Sequence, residues 1–593
     1  MGVRGLMTLC MEKKTECSDL VDLVEVASER GGIELLVDYH SFEFFILESF
    51  HQSYMARCNN PHLPVMGGEY HSLDLYLTEL IGNLKSVNID LVMFESGSRG
   101  NCPEEDRQKL ERIKSKEAEK RSNIEKLMGL CDGTTSLREV KNEMSMPVVP
   151  CRGIQFTCTL VRCGCEFIGV PFGDADTAIA RSLIDRPKAY AVLSNDSDFL
   201  IFPGCKMIPH KLFDINNSLG LGDDQALPSL PHSLQCRVMS STKVARCLEV
   251  RESDLVDLSI LGSNDFTKDL IFSLKKRLRC THITQTRNRD LREAVQKSRD
   301  FYNTGLPLEE PSSTDPVLQA LLKGIQEDQF SSLVVGLFRR VYWHRLIPEE
   351  RKSGRPLCEA ALKELRQHCY RLIHTNGHVE EYSFTLDNKL DVSSVSPADM
   401  DLPTVDIVDR EDTQGNFSSF AKIFTHFEPE CLPNWGANYG MNDAFRCYVL
   451  RYFLVLNTGR NLRMDYSEFT ATAGMFFKQT AGAMDEEWYI KQALVPNRRC
   501  LTMLNWLQTL YRYAYVMIGK LLHLCSEFSE PKDVISGSIW VAFYAVSVHR
   551  DLALEQLGED SVFRIEEDKR NIMAGKRDMI DSIMQDYFPE HTA

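Results

Sequence analysis

The chain has no long hydrophobic run. Its most apolar segment, residues 501–525, is interrupted by Arg512 and Lys520, which reads as a buried helix rather than a membrane span. No charged segment followed by an apolar stretch opens the sequence, so a secretory leader is not expected. The start MGVRGL carries Leu6 where a myristoylation signal needs Ser or Thr. A phosphate-binding GxxxxGK[ST] loop is missing, which argues against ATP use. No serine or cysteine nucleophile pattern and no internal repeat stand out. Cysteine itself is plentiful, at 19 residues, but none are paired in CxxC spacing, and reduced thiols in the nucleus or cytosol are expected. The groups Cys151, Cys158, Cys163, Cys165 and Cys358, His368, Cys369, His374, His378 likewise lack zinc-site spacing.

What is present belongs to a multidomain globular protein. The chain has 593 residues, of which 43% are hydrophobic and 26% charged, a length that suggests roughly two to four domains. Its net charge of −16 weighs mildly against a general nucleic-acid binder. Local basic stretches run against that total.

Short apolar runs alternate with helical patterns over the first half. Strands are expected at Ile33–Asp38 (IELLVD), residues 88–95 (NIDLVMFE), residues 165–170 and Ala189–Leu193. Helices are expected at residues 41–50, 104–128, 153–162 and 177–184. This alternation predicts an α/β fold with a doubly wound, mostly parallel sheet. Acids stand at or just beyond the ends of all four strands: Asp38, Glu95, Asp174 with Asp176 in GDAD, and Asp196 with Asp198 in SNDSD. In open parallel sheets, ligands bind in the crevice outside those ends. Taken alone, each Asp-x-Asp pair fits either a helix cap with a decorated loop or a site for a hard divalent cation. Asp265, in GSNDF after a helical stretch, is a seventh candidate.

Six segments, MGVRGL, LLVDYHSFEFF, LVMFESG, VPFGDADTAIA, VLSNDSDFLIF and DLVDLSILGSNDF, follow the order of the flap-endonuclease and XPG-like nuclease superfamily. Over residues 1–269 the chain most resembles the Asteroid family, a divergent branch. The resemblance implies a PIN-like fold with a helical arch, structure-specific cleavage of single-stranded, overhang or flap DNA, and two Mg²⁺ or Mn²⁺ ions. It implies that Asp38, Glu95, Asp174 and Asp176 hold one ion, and Asp196, Asp198 and Asp265 the other, with Asp176 reaching towards both. It also places Gly2 beneath the site, and implies DNA repair and a nuclear setting. The chain departs from the family pattern in three places. Glu95 replaces the usual Asp, GDAD has Asp where many relatives have Glu, and one extra residue precedes Asp265. Two rival readings stay open: a degenerate nuclease that binds nucleic acid without cutting, and an interaction protein in which the helical half does the work.

Residues 104–123 correspond to the arch and contain Arg107, Lys109, Arg112, Lys114, Lys116, Lys120 and Arg121 among six acids. They read either as a solvated helix of i,i+4 ion pairs or as a cap touching the phosphates of a threaded strand. Lys275, Lys276, Arg277 and Arg279 open a more one-sided basic stretch, suited to sequence-independent phosphate contacts or to nuclear import. Residues 270–385 are expected to be a basic, then helical extension, 386–415 an acidic linker, and 416–593 a helical domain available to protein partners. Residues 333–346 show helical spacing, so Tyr342 and Trp343 read as core more readily than as base-stacking residues.

Overall fold

A computed structural model describes the chain apart from residues 1–2, 4, 55–57, 59, 61, 63–66, 97–102, 144–148, 171–174, 214–232, 263–288, 304–314, 328–332, 352–354, 375, 386–388, 427–433, 459–461, 482–483, 493, 586 and 589–593. It divides into two units. The first comprises Met1–Ser49, Thr78–Gly100 and Leu160–Ser312, and the second Phe50–Leu77, Asn101–Thr159 and Ser313–Ala593. Residues 50–77 and 101–159, inside the stretch that carries the family resemblance, group with the C-terminal half. Side chains of the inserted segments find partners in the C-terminal half. Leu127 and Met128 pack with Leu501, and the Tyr70 hydroxyl donates to Gln508.

The first unit is built on a seven-stranded sheet in the order β1-β7-β6-β5-β2-β3-β4. Its strands are β1 (Ser18–Asp22), β2 (Ile33–Asp38), β3 (Ile89–Ser96), β4 (Glu166–Val170), β5 (Ala189–Leu193), β6 (Lys206–Ile208) and β7 (Gln235–Ser240). Strands β6, β5, β2, β3 and β4 run parallel, whereas β7 lies antiparallel to β6 and to the edge strand β1. The central strands are nearly continuous apolar runs because both faces are covered. Leu35, Leu36, Val37, Ala191, Val192 and Leu193 are all fully buried.

Helix Ala175–Asp185 covers one face and packs on β5, β2 and β3. Its inner face is small and apolar, with Ala175, Ala178, Ile179 and Ala180 buried. Just beyond its C-terminal end, Arg186 bonds Glu34 at 2.7 Å and Glu166 at 2.7 Å, tying that end to the second residue of β2 and the first of β4. An 11-residue helix is about 16 Å long, so its N-terminal turn reaches the opposite edge of the sheet.

The second unit is mainly helical but also contains a three-stranded sheet, β10-β9-β8, formed by β8 (Val341–Trp343), β9 (Val379–Phe384) and β10 (Leu390–Val395). Two expectations are corrected here. The helical spacing over 333–346 resolves into a helix, Leu333–Phe338, and then β8. The linker expected over 386–415 contains β10, which pairs antiparallel with β9, and Val395, Leu402 and Val405 are buried. The run LDVSSV has too little apolar alternation to announce a strand; the backbone bonds to β9 decide it. Among the described residues, no helix is long and apolar enough to cross a membrane.

Candidate functional site

The chain lays β2 in mid-sheet, adds β3 and β4 on one side, and returns to place β5 and β6 on the other. Strand order therefore reverses between β2 and β5, the position where doubly wound sheets leave a crevice at the carboxyl ends. Asp38 closes β2. Register sets it opposite Phe94, one residue before Glu95 in β3, while Val37 faces Leu193 at the end of β5. The segment Ser194–Asp198 leaves β5 directly beside Asp38.

That segment is held residue by residue. The Ser194 hydroxyl oxygen accepts from the Asp196 amide at 3.0 Å, and the Asn195 side chain accepts from the His210 amide at 3.0 Å. The Asp196 carboxylate accepts from the Asp198 amide at 3.1 Å and caps the short turn Ser197–Leu200. Ser197 donates to the Val3 carbonyl at 3.4 Å, so Val3 lies against this loop. Gly2 itself is outside the described residues.

Asp176 stands in the first turn of helix Ala175–Asp185, where the helix dipole favours a carboxylate. It meets Asp196 and Asp198: one oxygen from each of the three lies within 4.8 Å of the others. Among the described residues this is the only such group of acids, histidines or cysteines. Asp38 and Glu95 stand on the same sheet edge outside it, both half-buried, and Asp38 accepts from the Ser41 amide at 3.5 Å in a capping role. Asp174 and Asp265 lie outside the described residues.

Asp198 is only 5% exposed. The Tyr302 hydroxyl donates to its Oδ1 at 2.6 Å. Burial first, and then the Asp198 charge, push the Tyr302 phenol well above its ordinary range, which keeps it a donor. Sequence reasoning missed Tyr302; it follows helix Arg289–Phe301, and no local pattern links it to an acid about a hundred positions earlier. His210 was missed as well. It stacks on Phe45 at 4.7 Å, and burial lowers it to about 4, so it is neutral beside the loop.

The basic candidates separate. Lys275, Lys276, Arg277 and Arg279 lie outside the described residues. Arg107, Lys109, Arg112 and Lys116 belong to helix Pro103–Cys131, with side chains outside the description. Lys114 is half-buried and Lys120 exposed. Arg121 is buried with its guanidinium 4.5 Å from the centre of the Phe384 ring, so it packs inward rather than facing solvent. The helix belongs to the second unit.

Three carboxylates so close repel one another unless a cation lies between them. The donors are all oxygen, with no thiol or imidazole in the group, which suits Mg²⁺ or Mn²⁺ and not a soft metal. The residues present therefore fit a hard divalent cation.

No family model matches the chain, and no curated protein matches it. Among solved structures, the catalytic core of Rad2 in complex with DNA substrate is similar at 12% identity, covering 56% of this chain and 97% of that chain, with a TM-score of 0.24.

Proposed function

We propose that the protein is a metal-dependent nuclease that hydrolyses phosphodiester bonds in DNA carrying single-stranded, overhang or flap structure, of the XPG-like, PIN-fold type and of its Asteroid branch. The observation that supports this most is the meeting of Asp176, Asp196 and Asp198 within 4.8 Å at the point where strand order reverses. On this reading these three hold Mg²⁺ or Mn²⁺, and Asp38, Glu95, Asp174 and Asp265 complete a two-ion set. When bound, such ions polarise the phosphodiester and lower the pKa of a coordinated water. The chain's own residues orient the donors. The Asp198 amide fixes the Asp196 carboxylate, and Tyr302 fixes that of Asp198. Lys114, Lys120 and the basic residues from Lys275 onward would neutralise phosphates without reading sequence. The second unit would offer helical surfaces to protein partners, in a nuclear repair setting.

The test is cleavage of labelled flap, overhang and single-stranded DNA with Mg²⁺ or Mn²⁺ by wild type and by Asp196→Ala/Asp198→Ala. The expected result is cleavage by wild type, and binding without cleavage by the variant. Undiminished cleavage by the variant would remove these acids from the chemistry. DNA binding with no cleavage by wild type would make the fold a non-cutting binder.

A further inference from the structure

The three acids are not positioned alike. Asp176 is carried by a helix turn, and Asp196 is tied to the backbone of its own loop. Asp198 takes its orienting bond from Tyr302, far along the chain. We propose that Tyr302 is the positioning residue of the cation site, an inference that rests on the nuclease reading above.

Three observations carry it. The hydroxyl-to-Oδ1 distance is 2.6 Å, within the range of a charge-assisted O–H···O⁻ bond. Both side chains are buried, Tyr302 at 2% and Asp198 at 5% exposed, so water competes little for the bond. The ring is also fixed independently: it packs edge-on against Phe202 at 5.2 Å and Phe301 at 4.9 Å, while the Thr177 hydroxyl, next to Asp176, donates to the Phe301 carbonyl at 3.4 Å. The backbone just before Tyr302 is thereby tied to the helix that carries Asp176, while its hydroxyl reaches Asp198.

A carboxylate offers about four lone-pair positions. The phenol takes one of them on Oδ1 and sets the plane of the group. Supporting bonds of this kind, made to ligands rather than to the metal, change metal affinity by about 10- to 100-fold when removed. A further consequence is that residues 1–269, where the family resemblance lies, do not contain the whole site. Helix Arg289–Phe301 and the residue after it complete it.

The experiment uses the full chain and reads Mn²⁺ binding by electron paramagnetic resonance, with thermal unfolding measured without metal. Four proteins are compared: wild type, Tyr302→Phe, Phe202→Leu and Asp196→Asn/Asp198→Asn. Tyr302→Phe keeps the ring and loses only the hydroxyl; its Mn²⁺ affinity should fall about 10- to 100-fold with little change in unfolding temperature. Phe202→Leu keeps the hydroxyl and loosens the packing; it should unfold earlier while its affinity stays within about twofold, because the orienting bond remains. Wild-type affinity in Tyr302→Phe, or affinity that simply follows stability in both variants, would overturn the role of Tyr302 and leave the cation site standing. Equal Mn²⁺ binding by wild type and Asp196→Asn/Asp198→Asn would instead overturn the site on which the inference rests.

Discussion

Replacing Asp198 by Asn should change the sign of its effect on stability when a divalent cation is added. Within the 4.8 Å group, each pair of like charges repels by about 0.9 kcal/mol in a water-like dielectric and about 3.5 kcal/mol at an effective value of 20. Asp198 faces two such partners. Asp176 and Asp196 are half-buried, so the lower end applies, and the neutral amide relieves about 2 kcal/mol. Against this, the bond from Tyr302 survives on the amide oxygen but loses its charge assistance, a cost of about 1 kcal/mol. With metal chelated, the variant should therefore be more stable than wild type by about 1 kcal/mol. At Mn²⁺ a hundredfold above its Kd, wild type gains about 2.7 kcal/mol, and the variant, one ligand short, much less. The order then reverses. The assay is thermal unfolding of both full-length proteins in EDTA and in Mn²⁺, followed on the transition that Mn²⁺ moves. A wild type more stable in EDTA, with Mn²⁺ shifting both proteins equally, would refute the repulsion argument.

Other expectations concern the second unit. Burial raises Glu69 from 4.5 to about 7, so the folded state keeps a proton that the unfolded state releases, and stability falls as pH rises from about 4.5 to 7. Glu69→Gln retains an oxygen for the bonds from Ser538 and should flatten that fall in unfolding temperature. Glu381 behaves oppositely: burial alone would raise it, but bonds from His344, Arg366 and Tyr370 bring it to about 2. Its contribution is complete above about 4.5 and lost as pH drops towards 2, so Glu381→Gln should be less stable at neutral pH and lose less on acidification. Arg366 pairs with both Glu359 and Glu381 at 1% side-chain exposure; Arg366→Met should cost about 3–5 kcal/mol in denaturant unfolding. At Gly537 a Cβ would lie 1.9 Å from the Gly67 carbonyl oxygen, so Gly537→Ala must push backbone apart and should give little folded protein on expression.

The sheet's interior was legible because its physics is local. IELLVD, NIDLVMFE and AYAVL are buried on both faces, so their composition alone marks them as strands, and the acids following them mark one edge. The antiparallel margin was not legible. SDLVD in β1 and QCRVMS in β7 mix polar and apolar positions, and β6 has only three residues; their pairing comes from neighbours distant in sequence. The same limit applied to β8, β9 and β10. Within the site, Asp176, Asp196 and Asp198 could be found by spacing and strand ends. Tyr302 could not, since its role arises from a helix that returns to the loop after a long excursion. Arg121 shows the converse failure: in a run of mixed charges nothing distinguishes an exposed cation from one that packs over Phe384.

The central claim is that Asp176, Asp196 and Asp198 surround a divalent cation. The most direct measurement is anomalous scattering from crystals of the full-length protein soaked in Mn²⁺. The account predicts a manganese peak bonded to oxygens of these three residues, absent in Asp196→Asn/Asp198→Asn. Manganese bound elsewhere, with no peak between these carboxylates, would contradict it.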